Sequence, residues 1–142
     1  METLNFFKNA RTFLIVLVLL IAIDGMIIGI FLSDFYEREL RDIARMKDGM
    51  IEPIWLGIGV VYILLALGLT FYVVLKDENH SEAGIFLKGA LFGLVVYGLY
   101  NISNYSLLNN WKMNVLIVDI VWGATLCGVV AVAVHMINKL FR

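Results

Sequence analysis

The sequence predicts an all-α integral membrane protein in which four transmembrane helices form a compact antiparallel bundle. Its 142 residues are 61% hydrophobic and only 16% charged, whereas a soluble domain is roughly half apolar and a quarter charged. Four apolar segments are long enough to cross roughly 30 Å of hydrocarbon at about 1.5 Å per residue. Two of the three connections between them are short, so the last three helices are expected to be antiparallel neighbours.

The predicted spans belong to a single transmembrane domain covering residues 1–142. They cover residues 12–33, 54–75, 86–108 and 113–137. The first apolar run is too long for a secretory signal, and no small-residue cleavage site follows it before Asp34, so we expect it to remain as a membrane helix. Ser81 or Asn79 is expected to cap the third span.

The first connection predicts a short interfacial amphipathic helix at about residues 35–48. Apolar residues recur there at helical spacing between charged ones, a pattern typical of helices that lie at a membrane surface. Asp34 followed by Glu37 resembles a capping box, and Gly49 is suited to end such a helix. Pro53 then fits the first turn of the second span. The alternative is a solvated loop with incidental apolar residues.

Charge and cysteine content exclude several classes of protein. The formal net charge is −1 and no run of basic residues occurs, so we expect no nucleic-acid partner. The single cysteine excludes an intramolecular disulfide. Lys and Arg are balanced between the two ends of the predicted bundle, so the positive-inside rule gives no orientation. An even number of spans places both termini on one side, which we expect to be the cytoplasm.

Polar residues inside the apolar runs are the strongest indication of a functional site. An ionisable side chain in a bilayer costs a few kcal/mol on the most permissive scales, which makes its presence informative. Carboxyl groups withdrawn from water favour the neutral form, and two of them together can share a proton or bind a cation. We therefore predict a ligand- or ion-binding cluster formed by Asp24, Tyr97, Asn101, Asn104, Asp119 and Trp122. The alternative is that these residues only tie helices together.

Glycines indicate where helices approach each other closely. GxxxG pairs and similar small-residue patterns allow membrane helices to make close backbone contacts. The residues predicted for helix packing are Gly25, Gly29, Gly89, Gly93 and Gly123.

The sequence contains no recognisable catalytic arrangement. We find no Ser/His/Asp or Cys/His pattern and no metal-ligand spacing, and therefore expect no catalytic residues, metal site or cofactor. The first hypothesis is a small membrane protein that binds or conducts a small polar species, first a proton or another cation and next a lipid headgroup, as a channel or transporter and as a homo-oligomer. One alternative is a lipid-binding or lipid-modifying enzyme, or a subunit of one, and another is a structural scaffold. Membrane lipids are the expected partners in each case.

Motifs along nearly the whole chain resemble those of domain-of-unknown-function family 2177, a family of membrane proteins. Asp24 and Gly29 resemble its first-helix motif, and Phe35-Tyr36 resembles an aromatic pair that follows. The remaining matches are GALFGL at 89–94, Tyr97, Tyr100, Asn104, Asp119, Trp122 and Gly123. Ile27 replaces a family tryptophan, and Asn101 replaces a family aspartate with a group that does not titrate. The resemblance implies a four-helix membrane fold and supplies no activity.

Overall fold

The computed structural model of the protein describes residues 2–76 and 81–141, with side chains from residue 5 onwards. The helices are α1 (Glu2–Met26), continued by a π-helix (Ile27–Phe31); α2 (Ser33–Leu40); α3 (Trp55–Gly68), continued by a π-helix (Leu69–Val74); α4 (Glu82–Leu107); and α5 (Met113–Leu140). Two short antiparallel strands, β1 (Met46–Lys47) and β2 (Met50–Ile51), lie between α2 and α3.

The predicted membrane fold is confirmed. Within the described residues, four helical segments are long and apolar enough to cross a membrane, namely Asn5–Phe31, Trp55–Val74, Glu82–Leu107 and Met113–Leu140. Helix α1 begins before the predicted start at Thr12, since the residues that precede Thr12 include neither glycine nor proline. The two π-helical ends of α1 and α3 were not expected from the sequence.

The first connection differs from the prediction in its second half. Helix α2 ends at Leu40, and a hairpin follows in which Asp48 and Gly49 have φ values of 51° and 85°. An Asp-Gly pair with positive φ at both positions is typical of a two-residue type I′ turn. This local preference replaces the helix predicted as far as residue 48.

The helix starts also correct two smaller predictions. The N-cap of α2 is Leu32 without a side-chain hydrogen bond, so Asp34 and Glu37 form no capping box. Helix α3 begins at Trp55 after an extended Ile54, so Pro53 precedes the helix. Ser81 caps α4 as expected, because its Oγ accepts a hydrogen bond from the Gly84 N–H at 3.2 Å. Asn79 lies outside the described residues.

Glycines bring α4 and α5 into direct backbone contact. A Cβ at Gly89 would lie 2.6 Å from the Cys127 carbonyl oxygen, and one at Gly93 would overlap the Gly123 backbone. At Gly123 a Cβ would overlap the Tyr97 ring. Among the described residues, nothing lies within 4 Å of a Cβ built at Gly25 or Gly29. The α1 glycines therefore take no part in packing within the described chain.

Side-chain contacts show how α1 joins the other helices. Near the chain ends, Asn138 Nδ2 of α5 donates to Thr12 Oγ1 at 3.2 Å, and Arg11 lies over the Phe141 ring at 4.8 Å. Toward the other end of α1, Asp24 is hydrogen-bonded to residues of α3 and α5. Between these contacts the bundle interior is mostly apolar, although Thr70 is also fully buried there, and the apolar side chains that fill it are at most 1% exposed: Val16, Leu20, Leu69, Leu126 and Val130.

Candidate carboxylate site

Asp24 of α1 is buried between α3 and α5. Only 5% of the residue is exposed. Its Oδ2 accepts a hydrogen bond from the Tyr62 hydroxyl at 2.7 Å, and its Oδ1 accepts one from the Trp122 indole N–H at 2.7 Å. Since the three residues come from three membrane helices, this carboxyl group joins α1, α3 and α5.

Asp119 of α5 receives its hydrogen bonds from a membrane helix and from the short helix α2. Asn101 Nδ2 of α4 donates to Asp119 Oδ2 at 2.5 Å, and the Tyr36 hydroxyl donates to Asp119 Oδ1 at 2.7 Å. Asn101 is fully buried and Tyr36 is 8% exposed, whereas Asp119 is half-buried. Asp119 therefore connects the bundle to its first extramembrane segment.

The orientation of the Asn101 amide follows from two acceptors. Its Nδ2 donates to the Tyr97 carbonyl oxygen at 3.1 Å as well as to Asp119, and only the amide nitrogen can serve both. The Asn101 Oδ1 is buried and accepts no hydrogen bond from the described part of the chain. A buried acceptor therefore lies next to the carboxyl group of Asp119.

Both carboxyl groups lie at a similar depth, at the α2 end of the bundle. Asp119 follows the first residue of α5 by about 9 Å, and Asn101 precedes the last residue of α4 by about 9 Å, at roughly 1.5 Å per residue. Asp24 and Tyr62 are about 10 Å from the corresponding ends of their spans by the same reckoning. The site thus occupies one half of the membrane-spanning bundle.

Tyr97 interacts with both carboxyl groups, whereas Asn104 interacts with Tyr100. Tyr97 is near enough to interact electrostatically with both Asp24 and Asp119, which also interact with each other. Asn104 lies beside Tyr100. Its side chain makes no hydrogen bond to either carboxyl group among those found for the described residues.

The four hydrogen-bond donors to these carboxyl groups are all neutral: Tyr36, Tyr62, Asn101 and Trp122. The ion pairs found within residues 5–76 and 81–141 involve neither Asp24 nor Asp119. The same residues hold no group of three His, Cys, Asp or Glu side chains that could bind a metal ion. Within the described residues, neither carboxyl group therefore has a protein cation that would balance its charge in the ionised form.

Helix α2 is held against the start of α5 by a second contact. Glu39 Oε2 lies 3.5 Å from Lys112 Nζ, and Glu39 Oε1 lies 3.1 Å from Arg38 Nε. The hydrogen bond from Arg38 is the main reason that the pKa of Glu39 is below its ordinary value. Burial, and then the charge of Asp119, raise the pKa of Tyr36, so its hydroxyl remains protonated as a donor at neutral pH.

An apolar groove lies on the lipid-facing side of Trp122. It is formed by the π-helical end of α1 and one face of α5, has a volume of about 420 Å³, and includes Ile27, Phe31, Ile117, Val121, Trp122 and Thr125. Phe31 and Val121 are 69% and 62% exposed, so the groove faces the hydrocarbon. Trp122 thus contacts the groove and also donates to Asp24.

Reasoning from sequence missed Tyr36 and Tyr62 as members of this site. Tyr62 lies within a charge-free apolar run, where a tyrosine has no distinguishing feature. Tyr36 does carry a signal, because it is one of the apolar residues at helical spacing in the first connection. Its use as an inward-facing donor depends on α2 folding back onto α5, which spacing alone does not reveal.

Comparison with known proteins assigns the chain to a family of membrane proteins. The family model described as Predicted membrane protein (DUF2177) matches residues 9–136, and this confirms the resemblance seen in the motifs. No match was found among curated proteins or among solved structures.

Proposed function

We propose that this multi-pass membrane protein, which belongs to the DUF2177 family of predicted membrane proteins, binds a monovalent cation at Asp24 and Asp119. The proton is the first candidate. The observation that carries this proposal is the pairing of two carboxyl groups with four donors that are all neutral.

Charge balance is the physical reason for a cation. Two ionised carboxylates withdrawn from water repel each other and lose hydration, and neutral donors compensate only part of that cost. A proton removes one of the charges, whereas a small metal cation would use the remaining lone pairs of the carboxylate oxygens. The unpaired Oδ1 of Asn101 is a further oxygen ligand or acceptor next to Asp119.

Exchange of the cation is expected from the α2 end of the bundle. The two carboxyl groups lie about 10 Å from that end by helix rise, and Asp119 is half-buried there. Toward the opposite end, Val16, Leu20, Leu69 and Leu126 fill the interior with side chains that are at most 1% exposed. This apolar layer favours binding from one side over an open path across the bundle. Conduction would require these side chains to move.

Infrared difference spectroscopy during a pH titration tests the proposal directly. The protein in lipid nanodiscs should show protonated-carboxyl bands at the higher frequency typical of poorly hydrated carboxyl groups, and these bands should form and disappear with pH, unaffected by the exposed carboxyl groups. Asp24→Asn and Asp119→Asn should each remove part of this signal. Both variants can keep their hydrogen bonds, since an Asn oxygen can accept from Trp122 or Asn101 while its nitrogen donates to Tyr62 or Tyr36. Asp42→Asn, at an exposed residue of the first connection, is the matched control.

Ion competition identifies the species bound. If a metal cation also binds, Na⁺, Li⁺ or K⁺ at constant ionic strength should displace the carboxyl titration to lower pH. If only protons bind, the titration should be the same in all salts. The proposal is wrong if neither variant alters the carboxyl bands and no salt changes the titration or the unfolding temperature.

A further inference from the structure

The groove beside Trp122 adjoins both the outer surface of the bundle and a side chain that is hydrogen-bonded to Asp24. Its outer wall is apolar and faces lipid, with Phe31 on the α1 side and Val121 on the α5 side. Its inner wall includes Trp122, whose indole N–H is hydrogen-bonded to Asp24 Oδ1 at 2.7 Å. Trp122 therefore contacts both the groove and a carboxyl group that has no cationic partner among the described residues.

The depth of the groove restricts what can enter it. On α5 the groove extends from Ile117 to Thr125, roughly 6 to 18 Å from the helix start by helix rise. An inorganic cation does not dissolve in hydrocarbon, so it cannot reach the groove from the lipid side. A cation shielded by its own apolar substituents is able to reach this depth.

We propose that the substrate of the carboxylate site is a lipophilic monovalent cation, an organic ammonium or phosphonium with apolar substituents, that enters through this groove. The inference rests on the proposed function, and it names the class of cation. The apolar substituents occupy the groove between Phe31 and Val121, and the positive charge approaches Asp24 past the Trp122 ring.

Two interactions favour this class over a neutral lipophilic molecule. The face of an indole attracts a nearby cation by about 0.5–2 kcal/mol, more strongly where water is excluded. The carboxyl groups of Asp24 and Asp119 supply negative charge that only a cation can compensate. Because protons and the organic cation would use the same carboxyl groups, their binding should be competitive.

Binding of tetraphenylphosphonium to the protein in nanodiscs tests the inference. Titration calorimetry, corrected with protein-free nanodiscs, should give saturable binding that weakens as the pH is lowered. Asp24→Asn should weaken it at least about tenfold, as expected when one member of a close charge pair is lost. Val121→Trp should block the groove and also weaken binding. Val129→Trp is the matched control, since Val129 is a lipid-facing residue of α5 that does not line the groove.

The outcomes separate this inference from the proposed function. If the carboxyl bands titrate but tetraphenylphosphonium does not saturate, or binds Asp24→Asn as well as the original protein, the substrate class is wrong and cation binding stands. If the carboxyl bands do not titrate and no cation binds, both proposals fail. Equal binding by Val121→Trp and Val129→Trp, with Asp24→Asn impaired, would reject the groove as the entry route.

Discussion

The two carboxyl groups of the bundle lie at the same depth but are held in different ways. Asp24 is 5% exposed and receives its hydrogen bonds from Tyr62 and Trp122, both on membrane helices. Asp119 is half-buried, and Tyr36, one of its two donors, belongs to the short helix α2. Asp24 can lose a partner only if membrane helices separate or a side chain rotates, whereas Asp119 can lose one when α2 moves.

We propose that this difference corresponds to a division of roles between the two carboxyl groups. The partners of Asp24 are fixed by the packing of three helices, so this carboxyl group is suited to hold a charge in a defined place. The Tyr36 contact of Asp119 is made from outside the membrane spans, so this group is suited to exchange with the surface. Three predictions test this comparison, from the largest expected effect to the smallest.

Trp122→Phe should destabilise the protein most. A smaller aromatic ring replaces the indole and the N–H is lost, which leaves a carboxyl oxygen of a 5% exposed residue without its donor. Such a change costs about 1–3 kcal/mol, measurable as the free energy of unfolding in mixed micelles. Trp111→Phe is the control, because the Trp111 Nε1 donates no hydrogen bond within the described chain. Equal stability of the two variants would contradict a fixed role for Asp24.

Tyr36→Phe should lower the stability of the protein less than Trp122→Phe does, but it should make Asp119 more accessible to reagents. One hydrogen bond in a membrane protein contributes about 0.6 kcal/mol, and half-buried Asp119 can recover part of it from water. The rate at which a lipophilic carbodiimide labels Asp119, measured by mass spectrometry, should rise, while labelling of Asp24 stays the same. Tyr72→Phe is the control, since Tyr72 is 70% exposed. Equal acceleration at both carboxyl groups would remove the proposed difference between them.

The contact between Glu39 and Lys112 should give the smallest effect, seen as a pH dependence. The pKa of Glu39 is lowered, chiefly by its hydrogen bond with Arg38, so its contribution is present above the ordinary pKa of Glu and is lost as pH falls through the lowered value. Hydrogen exchange of residues 33–40, corrected for intrinsic pH dependence, should therefore increase in that acidic window.

Glu39→Gln should abolish that pH dependence and give faster exchange already at neutral pH. The control is Glu52→Gln, which removes the exposed pair between Lys47 and Glu52 on the hairpin. If α2 exchanges equally in both variants, the ion pair does not hold α2 in place.

The fold was largely predictable because membrane spans are determined by simple requirements of length and hydrophobicity. The four spans follow from apolar runs, and the α4–α5 contact follows from Gly89 and Gly93. The end of α2 at Leu40 differs from the prediction. Apolar residues continue at helical spacing beyond Leu40, but the Asp48-Gly49 pair forms a turn there instead. The π-helical segments have no local sequence signal that would distinguish them from α-helix.

The site was predictable only where a polar residue interrupts an apolar segment. Asp24, Asn101 and Asp119 are conspicuous because polar groups in apolar runs are costly. Tyr62 is not conspicuous, because its apolar ring suits the membrane and only its hydroxyl serves the carboxyl group. Gly25 and Gly29 have a spacing that suits close packing. Among the described residues, however, no other segment lies within 4 Å of a Cβ built at either glycine.

The separation along the chain of the hydrogen-bonded partners has a consequence for biosynthesis. Asp24 and Trp122 are 98 positions apart, and Tyr36 and Asp119 are 83 positions apart. A chain is made from its N-terminus, so the first helix enters the membrane with its carboxyl group well before the indole that will bind it exists. The last helix to be synthesised therefore completes the site at both carboxyl groups.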